Sequence, residues 1–523
     1  MNSRIFTAAA LALGVSLSAN AHAETFRWSA TTDPQTMDPH AANLAPVTSF
    51  LNNIYEGLVR RAPDMSIEPS LATEWKPLED EDGWRFVLRQ GVKFHDGSDF
   101  TADDVLFSYE RGISEQSDVR SWFAPVQEVR VVDDYTVDFV TKAPDPIFPE
   151  SIANWMIMDR DWAAANNSTM PAKDQPTFAT LNTNGTGPFK LAARDPDVQT
   201  RLAVNEEWWD EPQHNVTEAV FTPIGSAATA IAALVSGEID MLQSVPVQDA
   251  ERLRSLDGIK TLEGLEARVI VLGFAHDHAA LYGSLETTGK NPFQDVRVRR
   301  AVASAINVDA IDRVLMNGMA EPASQLVPAG LSGYSTAHSS RPAYDADAAR
   351  ALLAEAGYPE GFSFSLRCTN DRYLNDDAVC QAITGMLAAV GLKAQLETMP
   401  VRTYWTELRE DRFDVFLLGW SPGTFDAEHP IRFLVHTPSN TLGTWNFGGY
   451  SNARVDELLP MVQQELDAAK RQAMLDEIAG IVQDDMTYVP LYVEPLVWAA
   501  RDAIDVVQRP DNFFMLRWVQ VKR

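Results

Sequence analysis

The side chains best suited to chemistry gather in a few short stretches. In FLLGWSPGTFDAEHP an apolar run ends at Gly419 and delivers Trp420 and Asp426 to an irregular loop. Loops at strand ends in α/β folds are where ligands usually bind. A buried carboxylate there can hold a desolvated ammonium group through a charge-assisted hydrogen bond, although the same aspartate can equally cap its own loop. A second stretch, TNDRY, carries Arg372 and Tyr373 just beyond the alternating run at 362–366. A ligand carboxylate would want such a guanidinium or a pair of backbone N–H groups; the other reading is a plain surface arginine. Arg402, Tyr404 and Trp405 stand just before the run that leads to Trp420 and rank behind Arg372, the two rings fitting a core as well as a pocket.

Catalysis finds little support. No G-x-S-x-G, H-E-x-x-H or P-loop pattern occurs, and each of those chemistries needs its residues at fixed offsets. His95-Asp96 lacks the further ligands that a metal hydrolase would require and falls in a turn, so it reads as structural. Cys368 and Cys380 are the two cysteines of the chain. In an exported protein such a pair is by default a disulfide, and two thiols with no histidine nearby make a poor metal site. We therefore expect a bridge between them, with no metal and no cofactor. Such a bridge would hold the Arg372 loop rigid, which favours preorganised binding.

Export is indicated at the N-terminus. Arg4, an uncharged and mostly apolar run at 5–19, and Ala21-His22-Ala23 fit a signal peptide cleaved after Ala23, the run being too short to span a bilayer. No cysteine adjoins the cut, so a lipid anchor is not expected. The formal charge of −30 argues against nucleic acid as a partner and against an anionic membrane surface; its plain use is solubility. The remaining residues, about 500, exceed what one core supports, so at least two lobes are required. No linker, low-complexity tract or repeat separates them, which suggests lobes assembled from discontinuous segments.

The elements that would position these side chains follow from periodicity. Trp84, Phe86 and Leu88 alternate as in a half-buried strand, Val92 and Phe94 resume the pattern after Gly91, and Asp96-Gly97 supplies a turn. Thr101 and Asp104 make a capping-box start to a helix through Tyr109. TTDPQTMDPH is a loop and NNIYEGLVRR has helical spacing; further helices fall at 229–237, 347–357 and within 455–484, and strands at 136–140, 488–497 and 504–506. Strands alternating with helices indicate α/β lobes with mixed sheets.

The segment WRFVLRQGVKFHDGSDFTADDVLFSY (84–109) resembles the signature of the large periplasmic solute-binding proteins of ABC transporters, family 5, the branch that includes dipeptide, oligopeptide and nickel binders. NGTGPF (184–189) and GEID (237–240) resemble the same family. The resemblance implies a bilobal Venus-flytrap fold with an accessory subdomain: lobe I from 24–68, 185–275 and 496–523, the accessory subdomain from 69–184, and lobe II from 276–495. It implies a monomer that captures a short peptide or peptide-like zwitterion in the cleft and hands it to the permease subunits of the inner membrane.

In peptide binders of this family an aspartate four residues before a proline pairs with the ligand ammonium. Asp426 holds that offset to Pro430, with extra residues between it and Trp420. The resemblance also brings Trp445 and Asn446 of GTWNFGGYSN to the cleft edge and makes His40 and Asn43 the first-lobe candidates; Trp155, Met156 and Met158 would line the pocket or pack a core. An opine, glutathione, a sugar or a metal chelate is the alternative ligand, favoured by the altered spacing before Asp426. A secreted hydrolase or a periplasmic folding helper is the remote alternative.

Overall fold

The computed structural model describes residues 24–172, 176–282 and 289–522; the expected signal peptide and its cleavage point lie outside the described residues. The backbone of the molecule is an eleven-stranded mixed sheet made of two halves. In one half the strands Thr25–Ser29, Glu218–Phe221 and Met241–Leu242 run parallel, and Gln199–Val204 and Phe189–Asp195 extend the edge antiparallel. In the other, Phe362–Thr369, Leu392–Met399 and Val415–Trp420 run parallel.

Two long antiparallel strands, Ile259–Phe274 and Tyr488–Arg501, pass through both halves and join them. Their ladder is regular from Ile259 opposite Arg501 to Leu265 opposite Pro495, and resumes at Val269 opposite Val493. Between those points three residues, 266–268, face Glu494 alone, so the ladder is broken where the chain crosses from one half to the other. Such irregularities re-aim side chains, and this one governs the site described below.

Each half carries its own apolar core. Phe26, Trp28, Phe50, Phe221, Trp498 and Phe514 pack in the first. In the second, Phe364, Leu366, Ile383 and Leu417 fill one face and Phe416, Leu434, Leu459 and Ile478 the other. An antiparallel sheet of Ala72–Pro77, Gly83–Leu88, Thr136–Thr141 and Val126–Asp133 builds a further core around Phe86, Phe139 and Trp155. The helix Ala102–Gly112 packs on it and starts with the expected capping box, the Thr101 N–H donating to Asp104 at 2.9 Å.

Two expectations fail for local reasons. Residues 92–94 bury Val92 and Phe94 but form no strand: the Phe94 N–H donates to Ser98 O within a turn, and Lys93 bridges Asp99. The helix expected over 52–61 is instead Ala45–Leu51, followed by turns and the strand Val59–Arg61. Pro46 starts it, and the Asn52 and Asn53 amides donate to the carbonyls of Thr48 and Ser49 at its end, which competes with helix continuation. The glycines of NGTGPF have a packing purpose here. A Cβ on Gly185 or Gly187 would lie 2.1 or 2.7 Å from the Ile54 carbonyl oxygen.

Candidate functional site

A cavity of about 220 Å³ opens at the carboxyl ends of the parallel strands Thr25–Ser29, Glu218–Phe221 and Met241–Leu242. Ligands of open α/β sheets bind at that end. Trp28, Phe50, Phe221 and Phe514 form apolar walls, and Thr31, Ser49, Gln243 and Asn512 supply polar groups. Gln243 and Asn512 are fixed to each other, the Gln243 amide donating to Asn512 O.

Two of the three charged residues lining the cavity come from the broken ladder; the third, Asp511, is paired with Arg509. Glu266 and Arg268 both line it. Arg268 Nη2 lies 2.6 Å from Glu266 Oε1, and Arg268 Nε lies 3.4 Å from Glu494 Oε2. Burial works against the Arg268 charge, but Glu266 and Glu494 more than offset it. Glu494 accepts the Leu374 N–H at 2.6 Å. Its carboxyl is pushed up to about 7, mainly by burial, with Arg268 pulling it down and Glu266 pushing it up. The result is a guanidinium between two acidic side chains, beside aromatic walls.

Tyr373 approaches Arg268 from the second half, while Arg372 beside it is exposed, and neither lines the cavity. The Arg268 guanidinium lies 5.9 Å from the Tyr373 ring and that of Arg372 lies 5.5 Å from it. The Tyr373 hydroxyl donates to Gly419 O at 3.4 Å. Asp376 fixes the loop by accepting the N–H groups of Arg372 and Tyr373. Cys368, near the end of the strand before the loop, is bonded to Cys380 in the helix after it, so the expected disulfide closes around the segment that carries Tyr373.

The remaining candidates sit elsewhere. Asp426 offers no free carboxylate: it is buried, receives both terminal nitrogens of Arg471 at 2.8 Å and accepts from Ser332 Oγ at 2.6 Å. The ammonium expected from a ligand is replaced by a guanidinium of the chain itself. Trp420 turns away from the cavity; its indole N–H donates to His429 Nδ1 at 3.1 Å, and its ring packs with those of Phe433 and Trp445. Trp445 also meets Trp405 and Phe447, giving a half-buried aromatic cluster. Asn446 is a loop brace, bonded to His436 O and to the backbone of Tyr450.

Tyr404 is core, fully buried with its hydroxyl on Leu417 O, while Arg402 is exposed. Asn43 is exposed just ahead of the cavity residues Ala45 and Pro46. His40 is fully buried, its Nε2 2.9 Å from Met156 O, and burial lowers its pKa to about 3. It lies against the buried ion pair of Asp38 with Arg111, in which Arg111 Nη1 donates at 2.7 Å. Trp155, Met156 and Met158 are core.

Glu266, Arg268 and Glu494 were not singled out by sequence reasoning. Their signal was present: a charge pair in GLEARVIVLGF and a lone acid in LYVEPLVWAA interrupt apolar runs, and a charge there is buried only when paired.

Comparison with known proteins bears on this geometry. The profile of the bacterial extracellular solute-binding proteins, family 5 (middle region), matches residues 66–441. The glutathione-binding protein GsiB of Salmonella paratyphi A is 27% identical over 471 residues, covering 89% of this chain and 88% of that protein. The structure of HbpA2 from Haemophilus parasuis superposes with a TM-score of 0.81 at 24% identity, covering 96% of this chain and 100% of the other. The periplasmic binding protein DppA of Helicobacter pylori, in complex with the peptide STSA, gives a TM-score of 0.72 at 24% identity, covering 96% and 98%. The two structural likenesses establish the fold, the α/β periplasmic-binding-protein architecture expected from the sequence.

Proposed function

The chain belongs to the bacterial extracellular solute-binding proteins, family 5, and from that premise we propose that it binds a short peptide or peptide-like zwitterion in the cavity around Arg268. Membership makes it the solute-binding component of an ABC importer and not an enzyme. The observation that carries the ligand reading is the placement of Arg268 between Glu266 and Glu494 at the cavity wall. A ligand carboxylate would take the guanidinium, its ammonium would take the carboxylate so released, and its body would lie against Trp28, Phe50 and Phe514. Exchange of partners keeps every buried charge compensated.

Glutathione, a tripeptide with one ammonium and two carboxylates, is the specific candidate favoured by relatives named as glutathione-binding proteins at 27% identity. In this reading the exported protein, cleaved after Ala23 and free of a lipid anchor, works in the periplasm as a monomer. Lobes divided at about the broken ladder close over the solute, and the permease receives the closed form.

The test is thermal unfolding of protein stripped of solute by unfolding and refolding, with dipeptides, tripeptides, glutathione, opines and sugars. Saturation at 100 times the dissociation constant adds about 2.7 kcal/mol. A rise with solutes carrying both an ammonium and a carboxylate supports the reading. A rise with sugars alone overturns it while leaving the transport role intact.

A further inference from the structure

Beside the strand Val59–Arg61 lies a second, much smaller cavity whose lining is unlike that of the first. It measures about 20 Å³ and is bordered by Arg60, Arg61, Arg509 and Arg517, with Glu56 the one acid among the lining residues. Five atoms of the lining residues are buried without a hydrogen-bond partner: Tyr55 Oη, Arg60 Nη1, Arg61 Nε, Arg517 Nε and Ser70 Oγ. Arg61 and Arg517 are themselves 4% and 7% exposed. The geometry points to an internal binding site for one small monatomic anion, of the size of chloride, held by Arg60, Arg61, Arg517 and Ser70.

The nearby acids other than Glu150 are already engaged. Glu56 accepts from Thr186 Oγ1, Trp208 Nε1 and Trp209 Nε1. Asp511 is taken by Arg509, and Glu68 and Asp210 by Arg60; Glu68 lies only within 3.8 Å of Arg517. Glu150 gives Arg61 its backbone carbonyl at 3.1 Å, while its carboxyl lies outside the lining, with Oε2 unpartnered, and acts on Arg61 only through space. Nothing in the lining therefore neutralises Arg61 and Arg517 directly. Burial lowers the pKa of Arg61 to about 10 against the opposing pull of Asp511 and Glu150, with Arg509 adding to the fall, and burial with Arg60 and Arg509 lowers that of Arg517 to about 9 against Glu68 and Glu56.

Size and polarity select the occupant. A cavity of about this volume holds a single water-sized body. Guanidinium groups only donate, so a water would accept from two of these groups and could place its own hydrogens only on the Ser70 and Tyr55 hydroxyls, whereas an anion accepts from every donor at once. The site also reaches the other half of the molecule. Arg61 Nη2 donates to Thr424 O at 3.0 Å and the guanidinium lies 4.6 Å from the Phe425 ring. An anion on Arg61 therefore steadies the contact with the loop after Val415–Trp420. This site is independent of the nature of the transported solute.

The test uses solute-free protein at constant ionic strength, with sodium gluconate replaced stepwise by sodium chloride or bromide. The melting temperature should rise saturably by roughly 1–3 °C, and Arg517→Met should abolish the saturable part. Crystals in bromide should show an anomalous peak within hydrogen-bonding reach of Arg61 and Arg517. The bromide peak needs no variant, so the proposal stands or falls even if Arg517→Met does not fold. Equal melting in gluconate and chloride with no peak at the cavity would mean that water fills it and would overturn the assignment.

Discussion

Asp426 and Arg471 meet through two 2.8 Å contacts with side-chain exposures of 2% and 10%, which makes this pair a structural brace of the second half. The carboxylate also takes Ser332 Oγ and the Glu428 N–H, leaving no lone pair facing the cavity around Arg268. Removing one partner strands a buried charge, which costs about 3–5 kcal/mol. Asp426→Ala and Arg471→Met should each lower the urea midpoint strongly. The double change Asp426→Leu with Arg471→Met should recover much of the loss. Solute affinity of whatever folds should stay within about twofold, a change of roughly 0.4 kcal/mol. A selective loss of affinity in Asp426→Ala, measured by calorimetry, would return Asp426 to the binding site.

Glu494 gives a pH signature. Its carboxyl sits at about 7 against an ordinary 4.5, so the folded chain holds that proton more tightly than the unfolded one. Stability from this group is greatest at low pH, falls as pH rises from about 4.5 to 7 and is level above that. Buried histidines act with the opposite sign. Burial lowers His40 and His429 to about 3 and His95 and His276 to about 4, so their contribution is lost as pH falls from about 6.5 toward those values. The difference between Glu494→Gln and the parent chain isolates the carboxyl. The variant should gain on the parent by about 1 kcal/mol or more between about pH 5 and 7.5. A difference that does not move with pH would place Glu494 at its ordinary value.

The Cys368–Cys380 bridge spans a separation of 12 residues and should contribute about 3 kcal/mol by the chain-entropy estimate. Reduction, or Cys368→Ala with Cys380→Ala, should lower the melting temperature. It should also weaken solute binding, because the bridged segment presents Tyr373 to Arg268. Unchanged affinity in the reduced protein would show that Asp376, which accepts the loop N–H groups, orders the segment alone.

What the sequence made legible is what short range decides. Thr101 and Asp104 capped the helix that their spacing indicated. Gly237 stopped its helix in the left-handed conformation at φ +80, which glycine adopts without a Cβ penalty. The two cysteines paired as expected. The site was decided at long range. Arg268 finds Glu494 only because two long strands pair out of register between the halves, and Asp426 finds Arg471 from a separate helix. The charges at 266, 268 and 494 interrupt apolar runs, but nothing local says which charge pairs with which, so the loop at 421–427 was given a ligand ammonium where the structure has Arg471.

Gly419 offers the sharpest test of how far the binding site extends. A Cβ there would lie 2.5 Å from Tyr373 Cε1 and 2.7 Å from Ile270 Cδ1. Ile270 and Tyr373 share one core, and the Tyr373 ring, met at two atoms, is pushed from its place, and with it the aromatic support of the Arg268 guanidinium. Gly419→Ala should therefore cost about 1–3 kcal/mol of stability, the usual cost of overpacking, and weaken binding of a zwitterionic solute. Arg268→Met should abolish recognition of the solute carboxylate. Tyr404→Phe is the control: its hydroxyl donates to Leu417 O inside the core, so the change should cost about 1 kcal/mol of stability and leave affinity untouched. Calorimetry on the three variants separates two extents of the site. If Gly419→Ala binds as the parent does while Arg268→Met does not, the solute lies wholly against Trp28, Phe50 and Phe514 and the second half closes over it without touching through Tyr373. If both lose affinity, the solute is gripped from both halves, and the broken ladder at 266–268 is where their grips meet.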